Sequence, residues 1–168
     1  MAAVSPIVLV DGFAQIYRSF FAIRDLTAPD GRPSNALFGV ARFMLSMDRA
    51  IPHTTGAMVL DKGKPAHRLE LLPEYKANRP SMPDDLRAQL QPIRAWVEAL
   101  GWPILEAEGS EADDLIAAVV AMRESRPVAI VSHDKDLSQL VQPGVTLMVP
   151  GKKGDMLALD DAGVQGEV

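Results

Sequence analysis

The stretch Ser110-Glu111-Ala112-Asp113-Asp114-Leu115-Ile116-Ala117-Ala118-Val119-Val120 sets three carboxylates directly before an unbroken apolar run. Ser110 with Asp113 has the spacing of an N-cap followed three residues later by an acid, so the sequence predicts a helix starting here. Ala112, Leu115, Ile116 and Val119 fall on one helical stripe that would face a core. Glu111 and Asp114, at i and i+3, are neighbours off that stripe, and in an ideal helix Asp113 does not lie beside Glu111. The expected division of labour gives Asp113 and Glu111 to one cation, with Asp114 acting through water or toward a second. Acids at a helix start are also favoured by the dipole and the free N–H groups alone. The meaning of the stretch therefore depends on whether other carboxylates reach the same place.

Outward from it, Pro103 to Ala107 reads as a strand leading into the acidic helix. Pro127 to Ser132 reads as a further strand, followed by His133-Asp134-Lys135-Asp136 and a short helix over Leu137 to Val141. Asp134 and Asp136, at i and i+2, point the same way in extended chain. Val145 to Val149 and Met156 to Leu159 read as two short strands joined across Gly151 to Gly154. Toward the N-terminus, Ile7-Val8-Leu9-Val10 is a buried parallel strand closed by Asp11-Gly12. A helix follows over Ala14 to Ile23, then a turn cluster over Ala28 to Pro33, then a helix capped by Ser34. Ala57 to Leu60 is a second buried strand, and Asp61 ends it. A basic run with one aromatic follows: Lys62, Lys64, His67, Arg68, Tyr75, Lys76 and Arg79. Such a run is commonly a solvated surface, but at a strand's carboxyl end it also suits phosphate contact. Asp84 and Asp85 open a helix to about Leu100, with a kink expected at Pro92 and Gly101 as its C-cap.

Alternating strands and helices predict an α/β fold, a mostly parallel central sheet with helices on both faces. Asp11, Asp61, the Glu111/Asp113/Asp114 group and the Asp134/Asp136 pair then all follow strands at one edge. Like charges about 4 Å apart repel by a few kcal/mol at intermediate dielectric, so such a set calls for cations. Oxygen-only ligation selects hard ions, Mg²⁺ or Mn²⁺. Two such ions about 3.5–4 Å apart are the usual device for in-line attack on a phosphodiester.

The 168 residues suit one domain with a sizeable core, and 48% hydrophobic with 23% charged residues is a globular composition. The net charge of −5 argues against a uniformly basic nucleic-acid binder. No cysteine is present, and the three histidines are scattered, which excludes disulfides and disfavours zinc. With neither a bilayer-length apolar run nor a signal-peptide plan, a cytoplasmic protein is expected.

The residues resemble the 5′-3′ exonuclease domain at the N-terminus of bacterial DNA polymerase I, within the flap-endonuclease family. The resemblance rests on Leu9-Val10-Asp11-Gly12 with Tyr17-Arg18 and Phe21, and on Val59-Leu60-Asp61 with Arg68. It continues through Tyr75-Lys76-Ala77-Asn78-Arg79-Pro80, Glu111-Ala112-Asp113-Asp114, and Asp134-Lys135-Asp136 with Gln139-Leu140. It implies a PIN-like fold with a helical arch over about residues 62–90, and metal-dependent hydrolysis at DNA 5′ ends and flaps, leaving 5′-phosphate and 3′-hydroxyl products. By position, Asp11, Asp61, Glu111, Asp113, Asp114, Asp134 and Asp136 look like metal ligands. Asp11, Asp61 and Asp113 look like catalytic positions, together with Lys76 and Arg79. Arg18, Arg68, Tyr75, Lys76 and Arg79 look like DNA contacts. Ser132 and His133 stand where the family more often has Thr and Gly, and His133 is a candidate substrate contact. The family continues into a helix–three-turn–helix module with two further aspartates, which this sequence does not include, so the second metal position is expected to be incomplete. That departure keeps two alternatives open. One is a structured-DNA-binding module, weakly active or inactive without a partner chain that supplies the missing part. The weaker one is a PIN-like ribonuclease.

Overall fold

The alternation in the first strand decides both faces of the sheet. In β1 (Ile7–Asp11), Val8 and Val10 point into one hydrophobic core and Leu9 into another. A computed structural model of the protein describes residues 5–63, 81–151 and 155–160. The remaining elements are α1 (Gly12–Ala22), α2 (Asn35–Ala50), β2 (Thr55–Val59), α3 (Asp84–Ala99), β3 (Ile104–Leu105) and α4 (Ala112–Met122). They continue with β4 (Val128–Val131), a 3-10 helix over Lys135–Leu140, β5 (Val145–Pro150) and β6 (Met156–Leu159). The strands form one sheet in the order β3-β2-β1-β4-β5-β6, all neighbours parallel except the antiparallel β5–β6 pair. This is the expected mostly parallel sheet, and helices cover both faces.

On one face, Val8, Val10, Met58, Ala129 and Val131 pack with Ile16, Val40, Met44, Leu86, Ile93 and Val97 from α1, α2 and α3. On the other, Leu9, Val59, Val128 and Ile130 pack with Ala112, Ile116 and Val120 of α4 and Leu137 of the 3-10 helix. Gly12 is required where α1 leaves β1: a Cβ there would run into the Leu60 side chain and lie 2.9 Å from the Val59 carbonyl oxygen.

Several boundaries differ from the sequence expectation, each for a local reason. The helix after β1 begins at Gly12, because the Asp11 side chain caps it from one residue earlier, accepting from the Ala14 N–H at 3.3 Å. The α-helix expected over 137–141 is a 3-10 helix from Lys135, tightened by an Asp134 carboxylate that accepts from the Asp136 N–H at 2.9 Å. The strand expected over 103–107 pairs only at Ile104 and Leu105. Ser34 sits at the N-cap of α2, but its hydroxyl makes no capping bond. Gln89 of α3, 2% exposed, does so instead: its Oε1 accepts from Ala36 N at 2.8 Å and Leu37 N at 3.1 Å. The helix over 84–99 runs through Pro92 and ends as expected at Gly101, whose positive φ of 88° closes it. Gly101 N donates to Glu98 O and Trp102 N to Val97 O, a Schellman arrangement.

The end of the expected arch, residues 84–90, is the first half of α3 and belongs to the core through Leu86 and Gln89. Arg68, Tyr75, Lys76 and Arg79 lie outside the described residues, so the arch and its basic contacts stay with the sequence.

Candidate metal centre

The order of the strands reverses between β1 and β4, because the chain steps to β2 and β3 on one side and to β5 and β6 on the other. Loops diverge at such a switch point and leave a crevice beyond the carboxyl ends of the strands. A cleft of about 460 Å³ lies there, and Asp11, Asp61, Asp113, Asp134 and Asp136 line it together with Phe13, Tyr17 and Met82.

Three of these carboxylates are held by donors, that of Asp134 by the Asp136 N–H. Asp11 Oδ2 accepts from the Ser132 hydroxyl at 2.8 Å, and Ser132 Oγ accepts from Asp134 N–H at 3.0 Å. Asp61 Oδ1 accepts from Ala112 N–H at 2.7 Å across 51 residues. The expected capping of the acidic helix by Ser110 is therefore replaced. The helix starts at Ala112 behind Glu111 as N-cap, with no bond from the Glu111 side chain to the helix start, and the Asp61 carboxylate meets the first N–H. Ser110 instead pairs by its backbone with Lys62, whose N–H donates to Ser110 O at 3.0 Å. This cap is testable. Asp61→Asn keeps an oxygen acceptor for Ala112, whereas Asp61→Ala does not. The alanine variant is expected to melt about 2–4 °C below the asparagine variant, for about 1 kcal/mol of lost cap. Equal melting would show that the cap adds nothing.

Glu111, Asp113 and Asp114 also converge: one carboxylate oxygen of each lies within 4.8 Å of the other two. In an ideal helix Asp113 would not lie beside Glu111, although the two were expected to approach one ion. Glu111 is not helical; its φ of −94° and ψ of 158° are extended, which brings it round to the other two acids. Glu111 is 3% exposed, while Asp113 is open to solvent and lines the cleft. Burial pushes the Asp11 carboxyl above the usual range. The Ser132 hydroxyl and the Ala14 N–H pull against that rise, and the Asp61 and Asp134 charges add to it. An all-oxygen donor set with crowded charge fits a hard divalent cation.

Other expected site residues fall elsewhere. Arg18 is exposed on α1 and lines a separate groove rather than the cleft. His133 does not line the cleft; burial, then the Arg18 guanidinium, lower its pKa, and the Pro150 backbone pulls against that fall. Lys62, the first residue of the basic run, is engaged by Glu106 at 3.1 Å. Glu106 also takes Arg94 at 2.7 Å, and Arg94 first and Lys62 after it hold that carboxyl below the ordinary range. Ser132, noted from the sequence only as a departure from the family, turns out to have a role. It is 3% exposed and joins the Asp11 and Asp134 positions. The signal was a lone hydroxyl two residues before Asp134 at a strand end.

A switch-point cleft lined by this acid set defines an α/β domain with a candidate divalent-cation centre. The family model for the 5′-3′ exonuclease N-terminal, resolvase-like domain matches residues 6–168, and the chain belongs to that family. DNA polymerase I of Pseudomonas aeruginosa is 47% identical over 146 residues, which is 86% of this chain and 16% of that protein. The 5′-3′ exonuclease of Buchnera aphidicola is 32% identical over 146 residues, 85% of this chain and 51% of that protein. The chain thus spans about half the length of this exonuclease relative and far less of the polymerase. Among solved structures, the T5 5′-exonuclease with bound zinc ions superposes with a TM-score of 0.68 at 21% identity, over 86% of this chain and 55% of that one. The T5 D15 protein co-crystallised with metal ions gives 0.67 at 25% identity, over 86% and 54%. Among the described residues, no helix is long and apolar enough to cross a membrane.

Proposed function

We propose that this domain is the metal-binding catalytic part of a 5′-3′ nuclease that hydrolyses DNA at 5′ ends and flaps, leaving 5′-phosphate and 3′-hydroxyl products. The observation that carries the reading is the convergence of Asp11, Asp61, Asp113, Asp134 and Asp136 on one cleft, beside the Glu111/Asp113/Asp114 group. These residues would hold Mg²⁺ or Mn²⁺, in two positions. Bound there, the ions would polarise the phosphodiester and activate water for in-line attack. The chain's own part is to fix the acids: Ser132 holds Asp11, and the α4 start holds Asp61. Lys76 and Arg79, assigned by sequence position, would offset charge developing on the phosphate. Residues 1–168 would act as one catalytic unit, in the cytoplasm.

The test is cleavage of a 5′-flap DNA in Mg²⁺, with the same reaction in EDTA as control. Millimolar Mg²⁺ or Mn²⁺ should also raise the melting temperature, because a ligand of the native state stabilises it. No thermal shift would mean the acids do not share an ion. A second reading is favoured by the match to only 51% of the Buchnera exonuclease. In it, the lone domain binds structured DNA and turns over only when a separate chain supplies the rest. Robust digestion by the domain alone would reject it. Preference for RNA over the matched DNA would instead favour a ribonuclease.

A further inference from the structure

Three exposed arginines gather on the other flank of α1, outside the acidic centre. Arg18 of α1 and Arg42 and Arg49 of α2 line a groove of about 620 Å³ that the Pro150–Gly151 turn and Met156 close on the far side. We propose that this groove is a second backbone site for DNA, with these arginines as its phosphate contacts. The proposal rests on the nuclease reading for the identity of the polyanion.

Charge is the first argument. The chain carries a net charge of −5, yet among the described residues the groove has three arginines and Asp155 as its only carboxylate. Among the described residues, none of the three arginines takes part in an ion pair, whereas Lys62, Arg32, Arg87 and Arg94 all do. Geometry is the second. Phe38, Arg42, Leu45 and Arg49 stand at i, i+4, i+7 and i+11, one face of α2. Phe38 and Leu45 are 47% and 45% exposed, so this face is left open rather than buried. The Arg42 guanidinium lies 5.7 Å from the centre of the Phe38 ring, which orients it while its N–H edge stays available to an anion. Seven residues of helix separate Arg42 and Arg49 by about 10 Å along the axis. That is about three nucleotide steps of a DNA strand at ~3.4 Å each. Phe13 and Tyr17 face the acidic cleft while Arg18 faces the groove, so α1 would stand between two segments of one substrate.

The experiment measures binding of a 5′-flap DNA in EDTA over a range of salt. The variants are Arg42→Ala/Arg49→Ala and, as a control of equal charge, Arg32→Ala/Arg126→Ala. All four positions are exposed, and melting curves check that each variant is folded. The Arg42/Arg49 pair should weaken binding at least about tenfold at low salt and flatten the slope of log K against log salt by about 2, one unit per lost phosphate contact. The control pair should change neither. An unchanged slope and affinity in the Arg42/Arg49 pair, or an equal loss in the control pair, overturns the site. Wild-type protein that binds no DNA would reject the nuclease reading along with it. Wild-type binding with no loss in the variant would reject this site alone.

Discussion

Asp113→Asn is expected to lower cleavage of a 5′-flap DNA by at least about 100-fold, while the metal-free protein melts no lower than wild type. The two halves of this result have separate causes. Asp113 lines the cleft beside Asp11, Asp61, Asp134 and Asp136, so the variant removes a charged ligand from the site itself. Loss of groups that merely support ligands already costs about 10–100-fold in affinity or activity, and loss of a ligand should cost more. Stability should not follow, because Asp113 is exposed and one of its carboxylate oxygens crowds those of Glu111 and Asp114 within 4.8 Å. Removing one like charge relieves that repulsion in the absence of cations. The Mg²⁺-induced rise in melting temperature should shrink in the same variant. Wild-type cleavage by Asp113→Asn, with an undiminished thermal shift, would remove this residue from the site.

Gln89→Leu should be the costliest single change away from the acids. Gln89 Nε2 donates to Asn35 Oδ1 at 2.8 Å and to Asp85 O at 2.9 Å, while its Oε1 receives the first N–H groups of α2. Asn35 in turn donates to Phe20 O and Ile23 O, both at 2.8 Å, at the end of α1. Gln89 and Asn35 together thus tie three helices, and leucine of similar size at 89 would leave Ala36 N and Asn35 Oδ1 buried without partners. Each such group costs about 1–3 kcal/mol, so a loss of about 3 kcal/mol is expected. That is a fall of about 6–12 °C in melting temperature for a domain of this size. A fall under about 2 °C would show that water replaces the lost bonds.

The sheet, its two cores and the edge where the acids collect were legible because local signals carry them. β-branched runs mark β1 and β4, and an acid after each strand marks the carboxyl edge. What was not legible depends on partners distant in the chain. Ser110 and Ser34 both have good capping chemistry, yet the caps of α4 and α2 come from Asp61 and Gln89, 51 and 53 residues away. No local pattern announces a cap of that kind. Arg18 was assigned to the phosphates by its match to the family's basic positions; in the fold Tyr17 lines the acidic cleft and Arg18, one step or about 100° further round the helix, lines the neighbouring groove. Arg42 and Arg49 gave no signal at all, because a charged residue every seven positions is ordinary on an exposed helix.

The bonds from Ser132, Ala14 and Ala112 to the cleft carboxylates bear on how a cation would enter. A flexible acidic side chain loses about 0.5–1.5 kcal/mol of rotational freedom when it is immobilised by a ligand. Asp11 and Asp61 have already lost that freedom in the folded chain: Asp11 accepts with both oxygens, from the Ala14 N–H and the Ser132 hydroxyl, and Asp61 accepts with Oδ1 from the Ala112 N–H. Asp134 is tethered in the same way through Asp136 N–H. The entropy of assembling the site is therefore met during folding and not at the moment of capture. A cation arriving at this edge would find a rigid receptor whose affinity is set by charge and size, with little left to spend on gathering its ligands.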